Sequence, residues 1–249
     1  MHLSLLLASV SAVAAFPFPF PSLLNRVSEK RQSSDAPCTD VHIFLSKGWN
    51  ETYPGRQGKL AGAICYGLNS CDYEDIQFYN TPGNSYCESV SEGSVNGVAQ
   101  MTAYAARCPD STLVLSGYSQ GAHVAGNVLG GGGGYFSGNC TVDNSVGLDT
   151  AVSPGNKLKA VLLFGDVLHT AGQWYNVLAG APYNSNDPRS GDQLTNFNKF
   201  GGFIRSYCDI ADPLCAAQGP GPFDIERHLN YFDLYTDDAA GWVKYTLGV

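Results

Sequence analysis

The stretch Leu113-Val114-Leu115-Ser116-Gly117-Tyr118-Ser119-Gln120-Gly121 decides the fold of this chain. It opens as an apolar run of the kind that fills a buried strand and closes on Gly-x-Ser-x-Gly. A helix-compatible run, Ala122 to Leu129, follows at once. A serine on a sharp turn between strand and helix takes a strained backbone conformation. Glycines two residues to either side let strand and helix approach without a Cβ collision. The hydroxyl is then raised at the C-terminal edge of a sheet, next to a helix N-terminus that favours developing negative charge. Strand, turn and helix together point to a nucleophilic serine, hence to a serine hydrolase.

Outward from this motif the same alternation continues. Short apolar runs at Val41–Leu45, Ile76–Tyr79, Thr112–Ser116, Ala160–Phe164 and Phe203–Tyr207 read as buried parallel strands. Helical patterns lie between them: Gly58–Cys65, an apolar face through Val95, Val98, Ala99, Thr102 and Ala105, the run after Ser119, and Ala239–Leu247. Strand–helix alternation predicts an α/β fold, a three-layer α/β/α sandwich around a central five-stranded, mostly parallel sheet. Gly130–Gly134 reads as a loop ending the helix after Ser119. No Gly-Lys-Ser/Thr follows it, so a phosphate cradle is rejected. Tyr183–Gly202 is polar and turn-rich, a surface excursion. No insertion is large enough for a lid, which predicts a small, lidless α/β-hydrolase with an open site.

Residues 1–15 carry an apolar stretch too short to span a bilayer and end in small residues, as a signal peptide does. Residues 16–31 are Pro- and Phe-rich and end in Lys30-Arg31, which reads as a propeptide with a dibasic processing site. One domain, 32–249, remains, and secretion is expected. The formal net charge of −8, with only 14% charged residues, argues against binding nucleic acid. No later segment is apolar enough to span a membrane, and a monomer is expected. All eight cysteines fall after the signal segment, and an even number in an exported chain predicts four disulfides. No Cys-x₂-Cys pair supports zinc. Asn50-Glu51-Thr52 and Asn139-Cys140-Thr141 are glycosylation sequons, so a glycoprotein is expected.

A serine nucleophile needs a base, and in the α/β-hydrolase order the acid and then the histidine follow the serine. His42 precedes Ser119, and His123 is held four residues along the same helix. His169 follows Asp166 by three residues, too close for the two to flank one imidazole from different loops. His228 comes late, just before the last helical segment, where a loop can carry an imidazole over the nucleophile. Two carboxylates in Cys208-Asp209-Ile-Ala-Asp212-Pro-Leu-Cys215 leave the last expected strand, and Asp212 with His228 is the favoured pair. Asp209 and Asp212-Pro213 also suit plain turn formation.

Gly117-Tyr118-Ser119-Gln120-Gly121, then Cys208-Asp209-x-x-Asp212-Pro213-x-Cys215, then His228-Leu229-Asn230-Tyr231 resembles the cutinase and acetylxylan esterase family, from about Cys38 to the C-terminus. The resemblance implies Asp212 as the acid, His228 as the base, and bridges Cys38–Cys108 and Cys208–Cys215. In the chain-entropy picture these contribute on the order of 4 and 2–3 kcal/mol. The remaining cysteines are paired as Cys65–Cys71 and Cys87–Cys140. They lack a clear counterpart in the simplest cutinases. The Gln120 N–H is the expected first oxyanion donor. The family's second donor is a Ser or Thr shortly after the first strand, where this chain reads Lys47-Gly48-Trp49-Asn50-Glu51-Thr52. Trp49 or Asn50 falls there according to the alignment. Asn50 is taken as the donor, through its backbone and its amide, a role incompatible with a glycan on the same residue.

The expected activity is carboxylic-ester hydrolysis through an acyl-enzyme, with no metal or organic cofactor. The substrate is expected to be an ester of cutin or of acetylated plant cell-wall polysaccharide, which makes a polymeric partner the expectation. The apolar Phe223, Ile225 and Leu229 near His228 suit the first. Glu226, Arg227 and the polar stretch 183–192 suit the second. Two other readings fit the same scaffold: a non-catalytic secreted binding protein, and an acyltransferase.

Overall fold

Strand β1 (Val41–Ser46) is buried along its whole length. The six-residue run Val-His-Ile-Phe-Leu-Ser therefore meets packing on both faces, as a central parallel strand must. The computed structural model describes residues 36–137 and 139–249. The expected signal peptide (1–15), propeptide (16–31) and first residues of the 32–249 domain lie outside the described residues. Beside β1 run β2 (Cys71–Asp75) and β3 (Thr112–Tyr118), then β6 (Leu158–Phe164), β8 (Ile204–Tyr207) and the two-residue β7 (Asn176–Val177). The order is β2-β1-β3-β6-β8-β7, six strands rather than the expected five because the two-residue β7 adds an edge to β8, and every pairing is parallel.

Alternation along the strands sorts side chains to two cores. Phe44, Leu113, Leu115, Val161 and Leu163 face one core, packed by α2 (Tyr86–Arg107) and α3 (Gln120–Gly130). Ile43, Leu45, Val114, Ala160 and Leu162 face the other, packed by α1 (Gly58–Cys65) and α7 (Thr236–Leu247). The result is the three-layer sandwich. Helix α2 starts on a capping arrangement in which the Ser85 hydroxyl accepts the Glu88 N–H at 3.4 Å.

Three expectations about elements are corrected. The second strand is Cys71–Asp75, not Ile76–Tyr79. It is an edge strand with polar residues, and the apolar Ile76 and Phe78 are buried in the segment after it. Gly130–Gly134 is not a loop, because Gly132–Phe136 forms β4, paired antiparallel with β5 (Cys140–Ser145) in a separate two-stranded sheet. Within 183–202, residues Gly191–Asn198 form helix α4. The short helices α5 (Ile225–Leu229) and α6 (Tyr231–Leu234) precede α7.

Four disulfides tie the layers: Cys38–Cys108, Cys65–Cys71, Cys87–Cys140 and Cys208–Cys215. The first joins residues 70 apart, the end of α2 to the segment before β1. The third fixes the β4–β5 hairpin to the first turn of α2. The last, at the end of β8, closes the seven-residue separation that contains Asp212. No free cysteine occurs among the described residues.

Candidate active site

Ser119 occupies the turn between β3 and α3 with φ 55° and ψ −119°. Such a conformation costs a non-glycine residue about 1–3 kcal/mol and persists only where packing enforces it. Here the Ser119 N–H donates to the Phe164 carbonyl at 2.9 Å. The turn itself is possible only with glycine at its ends. A Cβ at Gly117 would lie 2.5 Å from the Gly121 carbonyl oxygen, and one at Gly121 would lie 1.9 Å from the Ser46 carbonyl oxygen. The hydroxyl is left half-exposed at the C-terminal edge of the sheet.

Over it stands His228, on α5. Its Nε2 lies 2.9 Å from Ser119 Oγ and its Nδ1 lies 2.9 Å from Asp212 Oδ2. Three residues far apart in sequence are thus in one hydrogen-bonded line. Several contacts fix the imidazole. The Tyr118 hydroxyl donates to the His228 carbonyl at 3.0 Å, and Gly165 lies directly beneath the ring. Gly165 has φ 55°, and a Cβ there would be 2.7 Å from both His228 Cε1 and Nδ1 and 3.0 Å from Asp212 Oδ2.

Asp212 is fully buried. Burial pushes its carboxyl up, yet its pKa falls below the usual carboxylate value. The hydrogen bond and charge of His228, the Leu214 N–H and the Tyr231 hydroxyl together outweigh desolvation. Leu214 N–H donates to Oδ1 at 2.7 Å and Tyr231 OH to Oδ2 at 2.8 Å. Asp212 is therefore an anion aimed at Nδ1, which favours the tautomer with its proton on Nδ1 and a free lone pair on Nε2. Asp209, the other carboxylate of this loop, accepts the Ala211 N–H at 3.0 Å and shapes the turn.

The competing groups are engaged elsewhere. Asp166 is ion-paired with Arg189, both side chains buried. Arg189 also reaches the Ala122 and His123 carbonyls at 3.4 Å, bracing the first turn of α3 against the loop that follows Gly165. His169 is buried, with Nδ1 3.3 Å from the Ser206 hydroxyl. His123 is buried 3.5 Å from the Tyr86 hydroxyl, and burial lowers its pKa to about 3, so it stays neutral.

Of the two groups expected to make Asn50 the second oxyanion donor, the structure engages one. The Asn50 N–H is committed to the Asn80 carbonyl at 2.7 Å, so its backbone is not available, and its side chain is exposed. Asn80 also donates through Nδ2 to the Gly48 carbonyl at 2.5 Å and the Glu51 carbonyl at 3.1 Å. Glu51 in turn accepts the Gly48 N–H at 3.0 Å. These bonds curl residues 48–51 into a tight turn whose Trp49 N–H carries no hydrogen bond among the described residues. Sequence reasoning missed Tyr231, Gly165 and Arg189. For Tyr231 a signal existed in the segment His228-Leu229-Asn230-Tyr231.

Such a parallel sheet with a serine on its strand–helix elbow, a carboxylate from a later loop and an imidazole carried by the short helix α5 rather than by the expected loop, defines a lidless α/β-hydrolase. The profile of the cutinase family matches residues 37–247, and the chain belongs to that family. Acetylxylan esterase 2 of Talaromyces purpureogenus is 27% identical, the alignment covering 100% of both chains. Cutinase 11 of Verticillium dahliae is 30% identical, over 83% of this chain and 68% of that protein. The catalytic core domain of acetyl xylan esterase from Trichoderma reesei superposes with a TM-score of 0.70 at 27% identity, over 84% of this chain and 100% of that one. The protein is accordingly a carboxylic-ester hydrolase.

Proposed function

We propose that Ser119, His228 and Asp212 hydrolyse a short acyl ester through an acyl-enzyme. His228 Nε2 takes the proton from Ser119 Oγ as Oγ attacks the carbonyl carbon. Asp212 holds the ring and stabilises the imidazolium that forms. The N–H groups of Gln120, at the open start of α3, and of Trp49 receive the oxyanion. The tetrahedral intermediate then breaks the C–O bond to the alcohol, which leaves with the proton from Nε2. Water, deprotonated by His228, attacks the acyl carbon and frees Ser119. What carries this reading is the unbroken line Ser119 Oγ–His228 Nε2 and His228 Nδ1–Asp212 Oδ2, each step 2.9 Å.

The favoured substrate is an acetyl ester on a plant cell-wall polysaccharide. The full-length match to an acetylxylan esterase supports it, as does a polar surface beside the nucleophile helix. A cutin-like ester is the second reading, favoured by the exposed Phe223 (45%) and Ile225 (50%) just before His228. The fully paired cysteines among the described residues support export. Among those residues no helix is long and apolar enough to cross a membrane. Ser119→Ala should abolish hydrolysis of 4-nitrophenyl acetate in a folded protein, and retained turnover would refute the assignment. Acetate should be released faster than octanoate in a nitrophenyl series, and from acetylated xylan. Preference for long acyl chains would favour the cutin-like reading.

A further inference from the structure

A cavity of about 250 Å³ lies beside helix α3, one turn along from the nucleophile. One wall is the β4–β5 hairpin, with Tyr135 and Phe136. The facing wall is the segment carrying Asp187, Ser190 and Gln193, and His123 lies in the floor. His123 follows Ser119 by four residues on α3, which is about 6 Å of helix rise.

The walls are sewn together before any ligand arrives. Asp187 accepts the Ser137 N–H at 3.2 Å and the Ser137 hydroxyl at 2.9 Å. Gln193 Nε2 donates to the Gly133 carbonyl at 2.9 Å. The hairpin is further held by Cys87–Cys140, and Phe136 stacks on Tyr86 at 4.8 Å. A preformed cavity of this kind binds without first ordering its own side chains.

Its chemistry is polar, and among the described residues that line it no cation is free. The Arg189 guanidinium at its base is neutralised by Asp166, and the buried His123 is uncharged. An anionic ligand would meet the Asp187 carboxylate with nothing to offset it. An acyl chain would bury the carboxylate, the Ser190 hydroxyl and the Gln193 amide against hydrocarbon. Asp187 uses two of its roughly four lone-pair positions, and the Gln193 Oε1 and Ser190 hydroxyl carry no hydrogen bond among the described residues. Tyr135, 68% exposed, lines the cavity. A carboxylate, an amide and a hydroxyl beside an exposed aromatic ring are what a neutral, hydroxyl-rich ring ligand needs.

We propose that this cavity is a subsite for a neutral sugar residue of the polysaccharide whose ester lies at Ser119. Its catalytic role rests on the esterase reading above, but its ability to bind does not. The sugar stacks on Tyr135 and exchanges hydrogen bonds with Asp187 and Gln193. That holds the chain across α3 so that a neighbouring residue presents its acetyl group to the nucleophile. The hairpin, pinned by Cys87–Cys140, is then the element that turns a general esterase towards a polysaccharide.

The test uses the full chain in two arms. In the first, the Ser119→Ala protein is titrated with xylotetraose and followed by ligand-observed NMR and calorimetry. Tyr135→Ala and Gln193→Leu, made separately in that background, should each weaken binding by about five- to thirty-fold, as lost stacking and hydrogen bonding predict. Tyr135 is exposed, so its variant keeps the test open should Gln193→Leu not fold. In the second arm, the ratio of kcat/KM on acetylated xylan to that on 4-nitrophenyl acetate should fall by a similar factor in the same variants with Ser119 intact. No detectable xylotetraose binding at millimolar concentration, or equal affinity in parent and Tyr135→Ala, overturns the subsite. Failure of the parent to hydrolyse 4-nitrophenyl acetate overturns the esterase reading instead, leaving the binding arm to decide the subsite alone.

Discussion

Replacing Gly165 by alanine should damage catalysis far more than stability. Two effects separate cleanly. The first is backbone strain: φ is 55° at this residue, where an L side chain costs about 1–2 kcal/mol. For a domain of this size that lowers the Tm by about 2–8 °C. The second is steric. The new Cβ would fall 2.7 Å from His228 Cε1 and Nδ1, against an ordinary carbon contact of about 3.5 Å. The imidazole must retreat by roughly 0.8 Å, lengthening its bonds to Ser119 and Asp212. A displacement near 1 Å at a reacting group can lower turnover by about 10²-fold, so we expect kcat on 4-nitrophenyl acetate to fall about 10- to 100-fold. Gly172→Ala is the control. Gly172 also has positive φ, 73°, but no atom lies within 4 Å of where its Cβ would be. It should lose comparable Tm and little kcat. If Gly165→Ala kept kcat within about twofold of the parent, or if Gly172→Ala lost as much activity, the packing argument would be wrong.

Asp212→Asn keeps the shape but removes the anion that fixes the His228 tautomer, and kcat should fall by about 10³–10⁴ with the fold intact by circular dichroism. Arg189→Met leaves Asp166 charged, buried and unpaired. It should cost about 3–5 kcal/mol in urea denaturation, whereas adding Asp166→Leu should recover part of the loss. His42 is buried on β1. Burial pushes its pKa down, but hydrogen bonds and charges from Asp72, 2.6 Å away, and Glu74 raise it above 6.5 overall. The folded state thus binds that proton more tightly than the unfolded chain. The resulting stabilisation is complete below pH 6.5 and is lost as pH rises through the higher folded-state value. Thermal melts from pH 5 to 9 should show that decline in the parent and a shallower one in His42→Gln.

The sequence made the centre of the molecule readable because local and global demands coincide there. Leu113 to Gly121 must be strand, turn and helix whatever surrounds it, and Asp212 and His228 follow in the order that this sheet imposes. Edge elements were harder to read. Strand β2 is Cys-Asp-Tyr-Glu-Asp, polar because one side meets solvent, while the apolar Ile76 and Phe78 that mimic a strand fill the core from a connecting segment. Strand β4 opens with three glycines, which have little strand propensity, and only Tyr135 and Phe136 favour a strand. Its partner β5 and the Cys87–Cys140 bridge make it a strand. The turn at 48–51 misled for a different reason: its shape is set by Asn80, some thirty residues away, so neither alignment of Trp49 and Asn50 could show which N–H is taken. Arg189 and Gly165 act through contacts that appear only once the chain has folded.

Reaction with a fluorophosphonate probe asks whether Ser119 is the activated nucleophile. Phosphorus bonds to the activated hydroxyl with loss of fluoride, and intact mass and peptide mapping locate it. One adduct per chain is expected, on Ser119, slowed at least about 10³-fold in His228→Ala. An adduct on another residue, or equal labelling without the imidazole, would rule out Ser119 and His228 as nucleophile and base.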